Sequence, residues 1–370
     1  MRQFPASPIT ALIDEKPRYN LGESMGQDLT VADLLGPAGL ADLAGVSLGY
    51  GTSAGDPALR ALLAARLGVP DSQVLLTTGA AAALFLTAVL FGDGEILVGL
   101  PCFPPVLDAL QGTGARVVTV ASRFEDGYRI DLDAFTRRLS PRTQLVVVAS
   151  PQNPSGVTFK ENDVEQMLAA MARACPGALL LIDETFREAT YGDAPPAPSF
   201  AGRSPQLLTC GSLSKAYGTP GLRIGWLTAE DQGLREQLRL AKFNSAVSCG
   251  AADEFLAARL LARADEVLAA RGAVLAEARG IVERWVKGFD GRLRWLRPEA
   301  GAFCCMQLDA GTDIDAFYGL LARQRTQVAP GTWFHDSPQV FRLGLGYEPA
   351  GRLAEGLDVV GAALGAGARG

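Results

Sequence analysis

Between about residues 73 and 226 the chain alternates short apolar runs with longer stretches of mixed polarity. The runs EILVGLP, ARVVTV, QLVVVAS, ALLLID and QLLTCGS are apolar through both side-chain phases. That pattern predicts strands covered on both faces, and so a mostly parallel α/β sheet flanked by helices. The stretch AAAALFLTAVLF, Ala80 to Phe91, reads as a buried helix, because about a dozen apolar residues fall short of the roughly 20 that cross a bilayer. Beyond about residue 230 the texture changes to DEFLAARLLARADEVLAARGAVLAEARGIVERW, whose apolar positions recur at helical spacing. The strand-like pieces AFCCMQL, TQVAP and VFRLGLGY follow, which predicts a smaller α+β domain. A length of 370 residues exceeds what one core usually organises. We therefore divide the chain into 1–44, 45–245 and 246–370, with the Gly/Ala/Arg end read as frayed.

Charge and cysteine usage narrow the function. A formal charge of −6 without any run of five or six like charges gives no footprint for nucleic acid. Six cysteines form no C-x-x-C pair, and the lone His335 cannot supply several ligands, so no metal site is expected. The cysteines read as small core hydrophobes in a reducing compartment, and MRQFPASPIT lacks the pattern of a signal peptide, which together predict a cytoplasmic location. No membrane partner is expected.

The ends of the apolar runs carry the chemistry. Phe103, Asn153, Asp183, Ser212 and Lys215 each follow one of them, and open α/β sheets bind ligands beyond the carboxyl ends of their strands. Singly each has a bland reading: a core aromatic, a turn-forming asparagine, a strand-end cap, a surface lysine. In LTCGSLSKAYGTPGLRIGW, however, Lys215 stands among small and apolar residues, a setting for a working amine rather than a solvated charge. A nucleophilic lysine that forms a Schiff base needs a carbonyl cofactor beside it, and pyridoxal 5′-phosphate fits the neighbouring residues. Ser212, Ser214, Arg223 and the turn TTGAAAAL entering a helix at Gly79 could hold its phosphate. Asp183 could face its pyridine nitrogen, and Phe103 could stack on its ring.

In order and spacing, GYGTSAGDPALR, TTGAAAAL, PCFPPV, SPQNPSG, LLIDETFREATY, SLSKAYGTPGLRIGW, EAGAFCCMQL, VAPGTWF and FRLGLG resemble the class I/II aminotransferases, which are fold type I pyridoxal-phosphate enzymes. The resemblance implies that Lys215 bonds the cofactor and moves the substrate α-proton. Asp183 would be the pyridinium partner and Asn153 the donor to the ring hydroxyl, beside substrate. Ala80, Ala81, Ser212 and Arg223 would contact the phosphate. Arg342 would grip the α-carboxylate, and Tyr50 would reach the phosphate of a neighbouring subunit, which implies a homodimer with shared active sites. Residues 45–245 would then be the cofactor domain, and residues 1–44 would join the small domain to the substrate pocket. Two departures stand out. DETF places Phe186 where the family usually has a cofactor-contacting tyrosine, and YNLGESMGQDLT brings Gly22, Glu23 and Ser24 where many members read GEP. The expected reaction is amino transfer between an α-amino acid and a 2-oxo acid. The alternative is elimination, replacement or cyclisation, as in the capreomycidine synthase-like branch, on an arginine derivative.

Overall fold

Alternating apolar runs and helices build a seven-stranded sheet, as the computed structural model shows for residues 3–289 and 291–367. After a two-residue β1 (Tyr19–Asn20) come β2 (Val74–Thr77), β3 (Glu95–Leu100), β4 (Arg116–Ala121), β5 (Thr143–Ala149), β6 (Leu179–Asp183), β7 (Leu207–Ser212) and β8 (Gly225–Ala229). Their order across the sheet is β2-β8-β7-β6-β5-β3-β4. β3 to β7 pair in parallel, while β8 runs antiparallel to both β7 and β2. Apolar side chains on the two faces of these strands enter separate core clusters, which explains why the strand sequences show no polar phase.

The remaining strands are β9 (Leu293–Leu296), β10 (Phe303–Leu308), β11 (Thr326–Gln327), β12 (Ala329–Pro330) and β13 (Val340–Gly344). Four of them form an antiparallel sheet in the order β12-β13-β10-β9. β11 pairs with β1 instead, Tyr19 opposite Thr326, which ties the N-terminal segment to the C-terminal part of the chain.

Two expectations need correction, those for the helix Ala80–Phe91 and for the C-terminal end, and two others gain detail. The helix Ala80–Phe91 is not buried all round: Phe85 and Val89 are exposed, so its continuous apolar sequence serves one covered and one open side. The long Ala/Arg/Glu/Leu segment is two helices, Ala251–Ala262 and Ala264–Val286, interrupted at Arg263. TQVAP supplies strands to two different sheets. The Gly/Ala/Arg end is helical through Ala366, because Leu353, Leu357, Val360, Ala363 and Leu364 bury one face of it in the core. Residues 368–370 lie outside the described ones. Among the described residues no helix is long and apolar enough to span a membrane and no cluster could hold a metal ion, and all six cysteines are unpaired and buried.

Candidate active site

Three strands end side by side, and their last residues define the site. β5 and β6 pair Ala149 with Asp183, and β6 and β7 pair Asp183 with Cys210, two residues before Ser212 closes β7. Asn153 lies four residues past β5, and Lys215 three past β7. The chain reversal that follows brings β8 back so that Gly225 is opposite both Ser212 and Thr77.

That return creates an anion cradle. Gly79, at φ 84°, caps the helix Ala80–Phe91 without any side-chain acceptor, so the N–H groups of Ala80 and Ala81 have no intrahelical partner. The Arg223 Nη2 donates to the Thr78 carbonyl at 3.1 Å, over the same turn. Ser212 Oγ accepts from the Ser214 amide at 3.2 Å, and both serines are buried. Side chains on the two glycines would fill the space: a Cβ on Gly79 would lie 2.3 Å from Arg223 Nη2, and one on Gly225 2.6 Å from the Ala80 nitrogen. Free N–H groups, two hydroxyls and a guanidinium around a space kept by glycine suit a phosphate.

Asp183 lines one cavity together with Phe103, Gln152 and Tyr128. Its Oδ1 accepts from the Thr185 amide at 2.9 Å. Burial pushes its carboxyl above the usual range, against the hydrogen bonds of Thr185 and the Cys210 thiol, and no cation among the described residues opposes that shift. A largely desolvated acid without an ionic partner suits a protonated ring nitrogen.

Arg342, in β13, is 1% exposed and is held by contacts from four separate segments of the chain. Its Nη1 donates to Asn153 Oδ1 at 2.7 Å and its Nη2 to the Gly22 carbonyl at 2.6 Å. The guanidinium lies over Phe334 at 4.9 Å and Phe303 at 5.4 Å. Its Nε has no hydrogen-bond partner, and burial pushes its pKa down to about 10 despite Glu23 nearby. Because Asn153 accepts with its oxygen, its amide N–H groups remain as donors. Phe186 is buried edge-on against Phe303 at 4.7 Å, so the departure from tyrosine extends the aromatic wall that supports Arg342.

Lys215 is less enclosed than its sequence setting suggests, with 26% of its side chain exposed. Its Nζ donates to Glu23 Oε1 at 3.2 Å. Glu23 is therefore not at an open pocket entrance. It is nearly buried, its Oε1 also accepts from the Ser24 amide at 2.7 Å, and it pairs with the lysine rather than with a local arginine. Burial raises its carboxyl pKa, but Lys215, the Ser24 amide and Arg342 outweigh that and hold it below the usual range.

Tyr50 does not join this group. It is 89% exposed and lines a groove with Asp56, Glu254 and Phe255. Residues that sequence reasoning missed do join it. Arg271, from the helix Ala264–Val286, lines a pocket with Lys215 and Gly26, and donates to the Gln27 carbonyl. Asp28, exposed at the rim, is near enough to Arg271, Glu23 and Lys215 to feel their charges. No local signal marked these, since 244 residues separate Arg271 from Gln27. The glycines that make room for Arg271, Gly26 and Gly218, were the nearest to one.

The family model of aminotransferase class I and II matches residues 26–354. Capreomycidine synthase of Streptomyces vinaceus is 32% identical over 99% of this chain and 96% of its own length. Among solved structures, the PLP-dependent cyclase OrfR superposes with a TM-score of 0.84 at 26% identity, covering 98% of both chains. LysN, an α-aminoadipate aminotransferase of Thermus thermophilus complexed with N-(5′-phosphopyridoxyl)-L-leucine, gives 0.84 at 25% identity over 98% of this chain and 95% of its own. With its sheet, its cradle and its lysine, the chain belongs to the aminotransferase class I and II family and is a pyridoxal-phosphate-dependent enzyme of fold type I.

Proposed function

We propose that this enzyme moves an amino group between an α-amino acid and a 2-oxo acid, with Lys215 as the group that takes the proton from the substrate Cα and gives it back. The observation that carries this reading is that the Lys215 amine and the Asp183 carboxyl, which has no ionic partner, lie at the ends of adjoining strands, with Glu23 within reach of both Lys215 and the incompletely bonded, buried guanidinium of Arg342 in β13. Pyridoxal phosphate, when bound, supplies an aldehyde for covalent attachment and a ring that accepts the electrons left at Cα. Ser212, Ser214, Arg223 and the N–H groups of Ala80 and Ala81 hold its phosphate. Asp183 would keep its ring nitrogen protonated, Asn153 would donate to its ring hydroxyl, and Phe103 would lie against its ring. Arg342 binds the substrate α-carboxylate, and the Gly22 carbonyl and Asn153 orient the guanidinium, which fixes the Cα–H bond toward Lys215. Phe186 carries no donor, so Asn153 would stabilise the ring oxygen without help from a phenol at that position.

The enzyme works as a homodimer in which Tyr50 completes the partner's phosphate site. Its exposed ring, with exposed Leu48, Phe243 and Val247, supports this. Six unpaired cysteines support a reducing, cytoplasmic setting.

A second reading keeps the site and changes the outcome to elimination or cyclisation of the amino acid. The likeness to capreomycidine synthase along nearly the whole chain favours it, as does the absence of a phenol at Phe186. Product analysis separates the two. Incubation with an amino acid and pyruvate should give the matching 2-oxo acid and alanine in equal amounts. Ammonia or a cyclised amino acid with no alanine formed would replace the first reading by the second.

A further inference from the structure

On the proposed function, Glu23 loses its partner in this structure, the Lys215 amine, when that amine bonds the cofactor. The segment carrying it is pinned to β13: the Gly344 amide donates to the Leu21 carbonyl at 2.8 Å, and a Cβ on Gly344 would lie 2.0 Å from the Glu23 carbonyl oxygen. The neighbouring Gly22 carbonyl holds Arg342. The backbone that carries Glu23 is thereby fixed, and its carboxylate lies within reach of both Lys215 and Arg342. Asp28, exposed and next to the Gln27 whose carbonyl Arg271 bonds, adds a second carboxylate at the rim, its pKa raised first by partial burial and then by Glu23.

The formal charges here are Lys215, Arg271 and Arg342 against Glu23 and Asp28, a balance of three to two. On the reading above, the Lys215 nitrogen is bonded to cofactor and Arg342 is neutralised by the substrate α-carboxylate. Arg271 is then opposite Asp28, and the nearly buried Glu23 is left without a cation of its own, an arrangement that is costly until one arrives. The substrate Cα must approach the Lys215 amine, and that amine is 3.2 Å from Glu23 Oε1. A side chain of four or five atoms, roughly 5–7 Å long, can place its end group at that oxygen. We propose that Glu23, backed by Asp28, is the subsite for a cationic end group, a guanidinium or an ammonium, on the substrate side chain, and that it excludes acidic side chains.

This inference rests on the assignments of Lys215 and Arg342 in the proposed function, so its test avoids turnover. α-Methyl amino acids carry no α-proton, and their binding to the holoenzyme is measurable by calorimetry. The probes are α-methylornithine (cationic), α-methylleucine (neutral) and α-methylglutamate (acidic). The wild type should bind the cationic probe about 10–100-fold more tightly than the neutral one, and the acidic probe most weakly. Glu23→Gln should lose that preference while binding the neutral probe within about threefold of wild type, and Asp28→Asn should reduce it by a smaller factor. If Glu23→Gln holds no cofactor, the ranking of the three probes by wild type and Asp28→Asn decides. A wild type that binds the neutral probe as well as the cationic one overturns the subsite and leaves the proposed function standing. Failure of all three to bind the holoenzyme overturns the assignments of Lys215 and Arg342, and the subsite with them.

Discussion

Gly225→Ala tests the cradle with a single methyl group. The added Cβ would lie 2.5 Å from the Gly79 carbonyl carbon, 2.6 Å from the Ala80 nitrogen and 2.7 Å from the Gly211 carbonyl oxygen. Ordinary carbon contacts begin near 3.5 Å, so the turn at Gly79 and β8 must separate by about 1 Å. All three neighbours are backbone, and Gly225 is paired on both sides, to Thr77 and to Ser212, so no side-chain rotation relieves the clash. Overpacking of this kind costs about 1–3 kcal/mol of stability. The larger consequence is local: the N–H groups of Ala80 and Ala81 move away from Ser212 and Arg223, and a phosphate can no longer meet all of them. Loss of one charge-assisted hydrogen bond, about 1.5–3 kcal/mol, lowers cofactor affinity about 10–100-fold. The assay is titration of pyridoxal phosphate into resolved protein, followed by absorbance, with melting recorded alongside. Gly221→Ala is the control, because a Cβ there meets nothing within 4 Å. Wild-type affinity in a folded Gly225→Ala protein would refute the cradle.

Four further outcomes are expected. Lys215→Ala should keep the fold and bind cofactor through its phosphate, yet borohydride should no longer fix cofactor to the chain, as intact mass would show. Arg342→Gln should raise KM for the amino acid about 100-fold, through loss of a bidentate ion pair worth about 3 kcal/mol; an unchanged KM would remove Arg342 from the carboxylate site. Glu23 has a folded-state pKa below its ordinary 4.5, so its pairing stabilises the cofactor-free protein above about pH 4.5 and is lost as pH falls through the lower folded value. Glu23→Gln should therefore be less stable by about 1–3 kcal/mol at pH 7, with the gap to wild type closing in acid, as denaturant titrations at several pH values would show. Phe186→Tyr should restore a donor to the cofactor ring oxygen and move the pH titration of the visible absorbance band downward; an unmoved titration would mean the phenol does not reach it.

Much of the site could be read from the sequence because it rests on short-range rules. An apolar run predicts a covered strand, the residue that ends it is placed at the carboxyl edge of a parallel sheet, and a glycine before an apolar helix leaves N–H groups for an anion. Asp183, Ser212, Lys215 and the turn at Gly79 follow from that logic, and Phe103 shares the cavity of Asp183. The helix Ala80–Phe91 and the segment from residue 251 to 286 show where it stops. Composition reported apolar content, but what covers Phe85 and what interrupts the helix at Arg263 depend on neighbours far away in the chain.

The sequence by itself determined the strands, their chemical endings and the family pattern, since period and order along the chain carry that information. Only the tertiary structure decided which charges meet. Glu23 and Lys215 are 192 residues apart, Gly22 and Arg342 320, and Arg271 reaches Gln27 from a separate helix. Coulomb energy and desolvation depend on distance and burial in space, which no local window of sequence contains. The reacting amine and Glu23 could each be singled out by reading along the chain; that they face one another could be found only by folding it.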